Sequence, residues 1–275
     1  MQRGVDATAE EGSPVGDAAV LGGVAALLVA VHFLAPEPVR ARLAFDYVAF
    51  DPLTLVTSAY VHSTDAHLFG NLLGYGIGAV YAYGLCVRRG ERAWFRRTSV
   101  LLLVALPVLV NLASYVALSV QFPDARPVSR GFSGVVGGFC GFLLVALFSA
   151  LREKAGVRTA TGALLAVCTV AVGVLGVART PTDPVTPLFV LAGVVLSAVG
   201  SGFVVGDPLA RLWRRRRDVA EVLLVTLAVA LLARSLFPVE PVAGGPLAEE
   251  NVFAHASGVL FGAAFAAVAA RFGGQ

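Results

Sequence analysis

Ser133 stands in the run Gly131-Phe132-Ser133-Gly134, followed by Gly137, Gly138 and Gly141. Glycines flanking a serine let the backbone bend and approach a neighbour closely, and a serine at a helix N-terminus faces free N–H groups that can hold a developing oxyanion. The same small-residue pattern also serves plain helix packing in membranes, so Ser133 needs a base before it means anything chemically. His255 is the candidate. In Ala254-His255-Ala256-Ser257-Gly258-Val259-Leu260-Phe261-Gly262 the spacing sets Gly258 and Gly262 one and two turns from the histidine, on one side of a helix. A glycine-lined groove there can receive the glycine face that follows Ser133 and bring the imidazole within reach of the hydroxyl. A serine is a weak nucleophile until a base takes its proton, and histidine is the side chain used most often for that transfer.

A tetrahedral intermediate also needs preorganised donors. His67 and Asn71 are four residues apart, which puts both on one face of a helix, one turn from each other. Taken alone, the pair suits helix-to-helix hydrogen bonding equally well. His62, five residues before His67, falls at the mouth of that helix and is expected to brace the connection leading into it. His32, among apolar neighbours, is read as structural or interfacial. Cys86, Cys140 and Cys168 stand singly, with neither a disulfide framework nor a CxxC metal site. HExxH is lacking, and Gly206-Asp207 follows Val204-Val205, so zinc and GxGD aspartyl chemistries have no motif to rest on. No metal or cofactor is expected.

The elements that would position these residues are membrane helices. With 57% hydrophobic and 14% charged residues and a mean hydropathy of +0.79, the chain holds more apolar surface than a soluble globule can bury. A span takes roughly 20 apolar residues, and eight such segments can be laid down at about 18–35, 66–86, 98–118, 132–150, 160–178, 187–206, 219–237 and 251–270. Basic residues then collect on one side: Arg88, Arg89, Arg92, Arg96 and Arg97; Arg152, Lys154 and Arg158; Arg211 and Arg214 to Arg217. The expectation is an all-α, multi-pass protein with both termini cytoplasmic. The helices bearing His67, Ser133 and His255 all begin at the outer face, so their polar residues share a depth. The arginine run is read as a topology anchor at the lipid headgroups rather than as a nucleic-acid site. Residues 1–17 are expected to form a flexible tail, 18–275 one membrane domain, and 36–65 a segment lying in the interface. Lys154 is the only lysine, a composition that suggests a GC-rich genome and, with no targeting signal seen, a prokaryotic plasma membrane.

Together these motifs resemble the rhomboid family of intramembrane serine proteases. His62 and His67-Leu68-Phe69-Gly70-Asn71 match its HxxxxHxxxN element, Gly131-Phe132-Ser133-Gly134 its GxSG, and Ala254 to Gly262 its AHxxGxxxG, over residues 18 to 270. The resemblance implies a rhomboid-like helical bundle with Ser133 as nucleophile and His255 as general base. His67, Asn71 and the Ser133 backbone N–H would form the oxyanion hole, with His62, Gly131, Gly134, Gly258 and Gly262 in support. The implied substrates are transmembrane segments of other proteins in the bilayer. Between Ser133 and His255 there is room for three crossings where the minimal six-helix core has one. That leaves open which helix gates the site; Pro238 to Asn251, with Gly244-Gly245-Pro246 as hinge, is the cap this reading suggests. The segment after the first span lacks the Trp-Arg pair often found there in the family. Two competing readings are a non-catalytic relative that binds membrane proteins, and a small transporter. The first gives no chemical need for both Ser133 and His255, and the second lacks charges along a midplane path, since Glu221 and Arg234 fall near helix ends.

Overall fold

Apolar segments removed from water satisfy their backbone polar groups internally only as helices or closed barrels, and this chain takes the first route. The structure, a computed structural model, describes residues 13–121, 128–179, 185–201, 215–237 and 251–272. Its elements in order are α1 (Pro14–Leu34), α2 (Glu37–Leu43), β1 (Phe45–Asp46), α3 (Thr54–Thr57) running into a 3-10 turn (Ser58–Tyr60), α4 (Asp65–Arg88), α5 (Arg92–Val104), α6 (Leu106–Gln121), β2 (Val128–Ser129), α7 (Ser133–Ala155), α8 (Val157–Arg179), α9 (Val185–Gly200), α10 (Arg216–Leu236) and α11 (Val252–Arg271). Residues 1–12 of the expected tail, and the expected cap from Pro238 to Glu250, lie outside the described residues.

Among the described residues α1, α7, α8, α10 and α11 are each long and apolar enough to cross a membrane, and the bent pair α5/α6 makes six. The chain is thus a helical, multi-pass membrane protein. The expected count of eight exceeds this at two places. α4 has the length, 24 residues, but its glycines and tyrosines dilute its hydropathy. α9 is apolar but only 16 residues long, and residues 202–206 of that expected span lie outside the described ones. The expected third span also differs: it is two helices meeting at 46° near Ala105. Pro107 has no N–H to give the Leu103 carbonyl one turn back, and a helix breaks or kinks where that bond is missing. Tyr60 fills the gap, its hydroxyl donating to Leu103 O at 2.7 Å.

α7 is the central helix, with 78% of its most apolar window buried, and α4, α5, α6, α8, α10 and α11 all pack on it. Phe132, Phe139 and Phe142 fill the space around it, each fully buried. The closest pairing is α7 with α11, where backbones meet. A Cβ on Gly258 would run into the Gly134 carbonyl, one on Gly262 into Gly138, and one on Gly137 would lie 2.8 Å from the His255 carbonyl. Trp94 adds a tie from α5, its Nε1–H donating to Ala266 O at 2.8 Å. α9 packs on α8, and α1 on α4.

The two ends of the bundle differ chemically. At one end several of the basic residues are held in ion pairs. Asp17 meets Arg92 at 2.7 Å and Arg96 at 2.6 Å, Arg89 meets Glu91 and Glu153, and Lys154 meets Asp218 and Glu221. α1 therefore begins inside the expected tail, at Pro14, with Ser13 capping it and Asp17 buried. At the opposite end, β1 pairs antiparallel with β2, Phe45 opposite Ser129 and Asp46 opposite Val128. Phe45 and Tyr47 sink into a cluster with Leu55 and Leu118, while Val48, Phe50 and Leu53 of the same segment stay exposed. That half-sunk segment is what fixes the strand running into Gly131.

Candidate active site

Ser133 is the first residue of α7, after Phe132 at the N-cap position. Helix N-termini leave their first N–H groups without intrahelical acceptors, so Ser133 offers a hydroxyl and a free main-chain donor side by side. Gly131 makes the turn possible: its φ is +118°, a region closed to residues with a side chain, and an added Cβ would lie 2.5 Å from the His67 ring. Two bonds fix the peptide ahead of the serine. Gly131 N–H donates to Ser58 O at 2.9 Å, and Phe132 N–H donates to His62 Nε2 at 3.4 Å. Ser58 is itself held, its hydroxyl accepting from Asn111 Nδ2 at 2.9 Å.

His255 sits one turn into α11, whose N-cap Asn251 accepts from Ala254 N–H at 3.1 Å. The same Asn251 donates to Tyr47 Oη at 3.3 Å, which joins α11 to the half-sunk segment. The His255 ring is buried, with 5% of the residue exposed, and Nε2 is 2.8 Å from Ser133 Oγ. Nδ1 lies against the carbonyl oxygen of Leu236, the last residue of α10. A carbonyl can only accept, so Nδ1 carries the hydrogen and Nε2 presents its lone pair to the serine O–H. Phe237 packs on the ring edge to face at 5.9 Å. An imidazole in that tautomer, held at both nitrogens, can take a proton from the hydroxyl.

His67 and Asn71 reach the same place from α4. Gly131 is their common neighbour, its Cβ position lying 2.5 Å from the His67 ring and 3.4 Å from Asn71 Nδ2. Asn71 is buried, and its Nδ2 has no hydrogen-bond partner, a costly state for an amide unless something else accepts. Ser63 Oγ lies 3.2 Å from His67 Nδ1, and Thr64 caps the helix by accepting from His67 N–H. His62, expected to brace the connection into α4, instead bridges from it to the main chain before Ser133. Enclosed on all sides, it is pushed down to a pKa of about 3 by burial, with His67 and His32 adding to the effect, so it is neutral and free to accept. Gly134, Gly258 and Gly262 do their work in packing, Gly134 facing Val110 on one side and Gly258 on the other.

Ser133, His255, His67, Asn71, His62 and Gly131 thus lie in this one cluster, and Gly134, Gly258 and Gly262 line the α7/α11 contact beneath it. Several contributors were not foreseen, Ser63 and Asn111 among them. Asn251 carried a readable sign, an asparagine just ahead of an apolar run. Ser58 and the Leu236 carbonyl had none, since main-chain acceptors look alike in every sequence. Among the described residues no group of three or more histidine, cysteine or acidic side chains is placed to hold a metal ion. Compared with models of protein families, with curated proteins and with solved structures, the chain finds no match.

Proposed function

We propose that this protein is a rhomboid-type serine endopeptidase that cleaves transmembrane segments of other membrane proteins through a Ser133–His255 dyad. The observation that carries the reading is the 2.8 Å contact between His255 Nε2 and Ser133 Oγ, with the opposite ring nitrogen occupied by a carbonyl. In this reading α4, the bent pair, α7, α10 and α11, with α1, make the six-span core, and the α8/α9 hairpin is the pair added between the serine and the base. The basic end faces the cytoplasm and the site opens outward, where water reaches the dyad.

The chemistry follows from the donors present. Ser133 Oγ attacks the scissile carbonyl carbon as its proton passes to His255 Nε2, and the carbonyl π pair moves onto oxygen. Asn71 Nδ2, unpartnered in the resting site, donates to that oxyanion together with the Ser133 N–H. His67 adds a third donor from Nε2 while Ser63 donates to its Nδ1. Collapse of the intermediate expels the amine, which takes the proton from His255 and leaves an ester on Ser133. Water, deprotonated by the same imidazole, then hydrolyses the ester and regenerates the hydroxyl. A dyad oriented by a neutral carbonyl gives the imidazolium less support than an aspartate would, so turnover slower than that of a full triad is expected.

The test is direct. Purified protein is incubated with a single-span test substrate beside Ser133→Ala and His255→Ala, and a fluorophosphonate probe is applied to each. Wild type should cleave and should label at Ser133, while each variant should lose about 10³-fold or more of the rate. Equal cleavage by all three would end the proposal, and failure to label the folded wild type would favour a non-catalytic binding protein.

A further inference from the structure

His32 belongs to none of the motifs above, yet it is buried, with 4% of its side chain exposed, and both of its ring nitrogens are occupied. Arg40 Nη1 donates to Nδ1 at 3.1 Å, so that nitrogen carries a lone pair and the ring hydrogen sits on Nε2. Nε2–H then donates to Asp65 Oδ1 at 2.8 Å. Asp65 is the first residue of α4, two positions before His67. The ring of His32 also meets the ring of His62 edge to face, centroids 6.4 Å apart, and His62 in turn meets His67 edge to face at 5.1 Å.

The weak point of that row is His62. Its Nε2 accepts from Phe132 N–H at 3.4 Å, which puts the hydrogen on Nδ1, and Nδ1 is buried with no partner. A ring anchored by one long hydrogen bond depends on the packing around it to keep its rotamer. Of the two rings that meet it, His67 belongs to the site itself, whereas His32 is fixed by Arg40 and Asp65. We propose that His32, locked between Arg40 and Asp65, is a positioning residue that holds His62 against the Phe132 N–H and so sets the peptide leading into Ser133. This rests on the protease reading of the site. Without His32 the His62 ring has room to turn, Phe132 N–H loses its acceptor, and the Ser133 N–H is no longer aimed at the oxyanion. Substrate contacts are untouched, so the loss falls on kcat rather than on KM.

The experiment is a mutant cycle with steady-state kinetics on full-length protein. His32→Ala should lower kcat about tenfold, less than the 10² to 10³ of removing an oxyanion donor outright, with KM within about twofold. In a His62→Ala background the same change should cost less than about twofold, because residues acting through one another are not additive. Asp65→Ala, whose side chain is 70% exposed, should give a smaller drop, about threefold, that also vanishes without His62. Nitrogen-15 shifts of the labelled imidazoles give a readout independent of turnover: wild type should show His62 protonated at Nδ1 alone, and His32→Ala should change that signal. A kcat within twofold of wild type in His32→Ala and Asp65→Ala, or equal losses with and without His62, would overturn the proposal while leaving the dyad intact. Absence of cleavage and of Ser133 labelling in wild type would instead remove the protease reading, and this one with it.

Discussion

His62 is the most enclosed of the four histidines, at 1% exposure, and its burial makes stability depend on pH. In the folded protein its pKa is pushed down to about 3, whereas in an unfolded chain a histidine titrates at about 6.5. Between those values the unfolded state binds the extra proton, so the contribution of a neutral His62 is complete above about pH 6.5 and is lost as the pH falls toward 3. Thermal unfolding in detergent should accordingly show Tm falling from pH 7 to pH 4. His62→Gln should flatten that slope while lowering Tm at pH 7 through the lost packing. An unchanged slope in the variant would place the acid sensitivity elsewhere. At this scale the sequence was most legible. Ser133, His255, His67 and Asn71 are chemically distinctive among apolar neighbours, and polar side chains at membrane depth are costly enough to need a reason. What binds to them was less so, because the Ser58 and Leu236 carbonyls belong to the main chain.

Helix by helix, the site depends on how closely α7 and α11 approach. The glycines at 134, 137, 138, 258 and 262 let backbone meet backbone, and that approach sets the distance from Ser133 Oγ to His255 Nε2. Gly258→Val would drive a side chain into the Gly134 peptide, which cannot yield as a side chain can. The expected result is destabilisation of about 1–3 kcal/mol with activity down 10²-fold or more, since misplacing reacting groups by about 1 Å costs that much. Gly76→Val, at a position with open space around its Cβ, is the control and should be far milder. Comparable effects from the two would mean that helix propensity, not contact, is at stake. The groove was legible from its four-residue glycine spacing. The bend in the expected third span was signalled by Pro107, but the sequence did not show that Tyr60, 43 residues away from its acceptor, would make the bend tolerable.

Across the whole molecule, α1 stands apart from the central packing, with only 17% of its most apolar window buried. Between α1 and α4 lies an apolar cavity of about 430 Å³, lined by Leu21, Gly22, Ala25, Val29, Leu72 and Gly76 among others. Polar side-chain contacts hold the helix at both ends, Asp17 to Arg92 and Arg96 at one and His32 to Asp65 at the other, with Leu28 buried and Tyr75 Oη donating to Leu21 O between them. Asp17→Ala would leave two arginines facing each other without their carboxylate. Removing the shared carboxylate leaves two like charges side by side and is destabilising, by less than for an enclosed pair because Arg96 is a third exposed. A lowered Tm and new protease sensitivity near the N-terminus should follow, with the Ser133–His255 pair still reactive to a fluorophosphonate. An unchanged Tm would show that the apolar contact with α4 suffices. Composition made the membrane class legible, but not this clamp: Asp17 lies 75 residues from Arg92, and no local pattern joins them. The pairing of Phe45 with Ser129 was hidden for the same reason.

Leu236 ends α10, and the carbonyls at the C-terminus of a helix carry the negative pole of its dipole, roughly half an elementary charge. A whole helix therefore stands behind His255 in the place where soluble serine hydrolases carry a carboxylate. That pole is built into the main chain. It takes up no proton at any pH, and it survives any replacement of the Leu236 side chain that leaves the helix intact. In the proposed mechanism the orientation of the base therefore depends on where α10 ends and how it leans, a property of the bundle's architecture that no single side chain encodes.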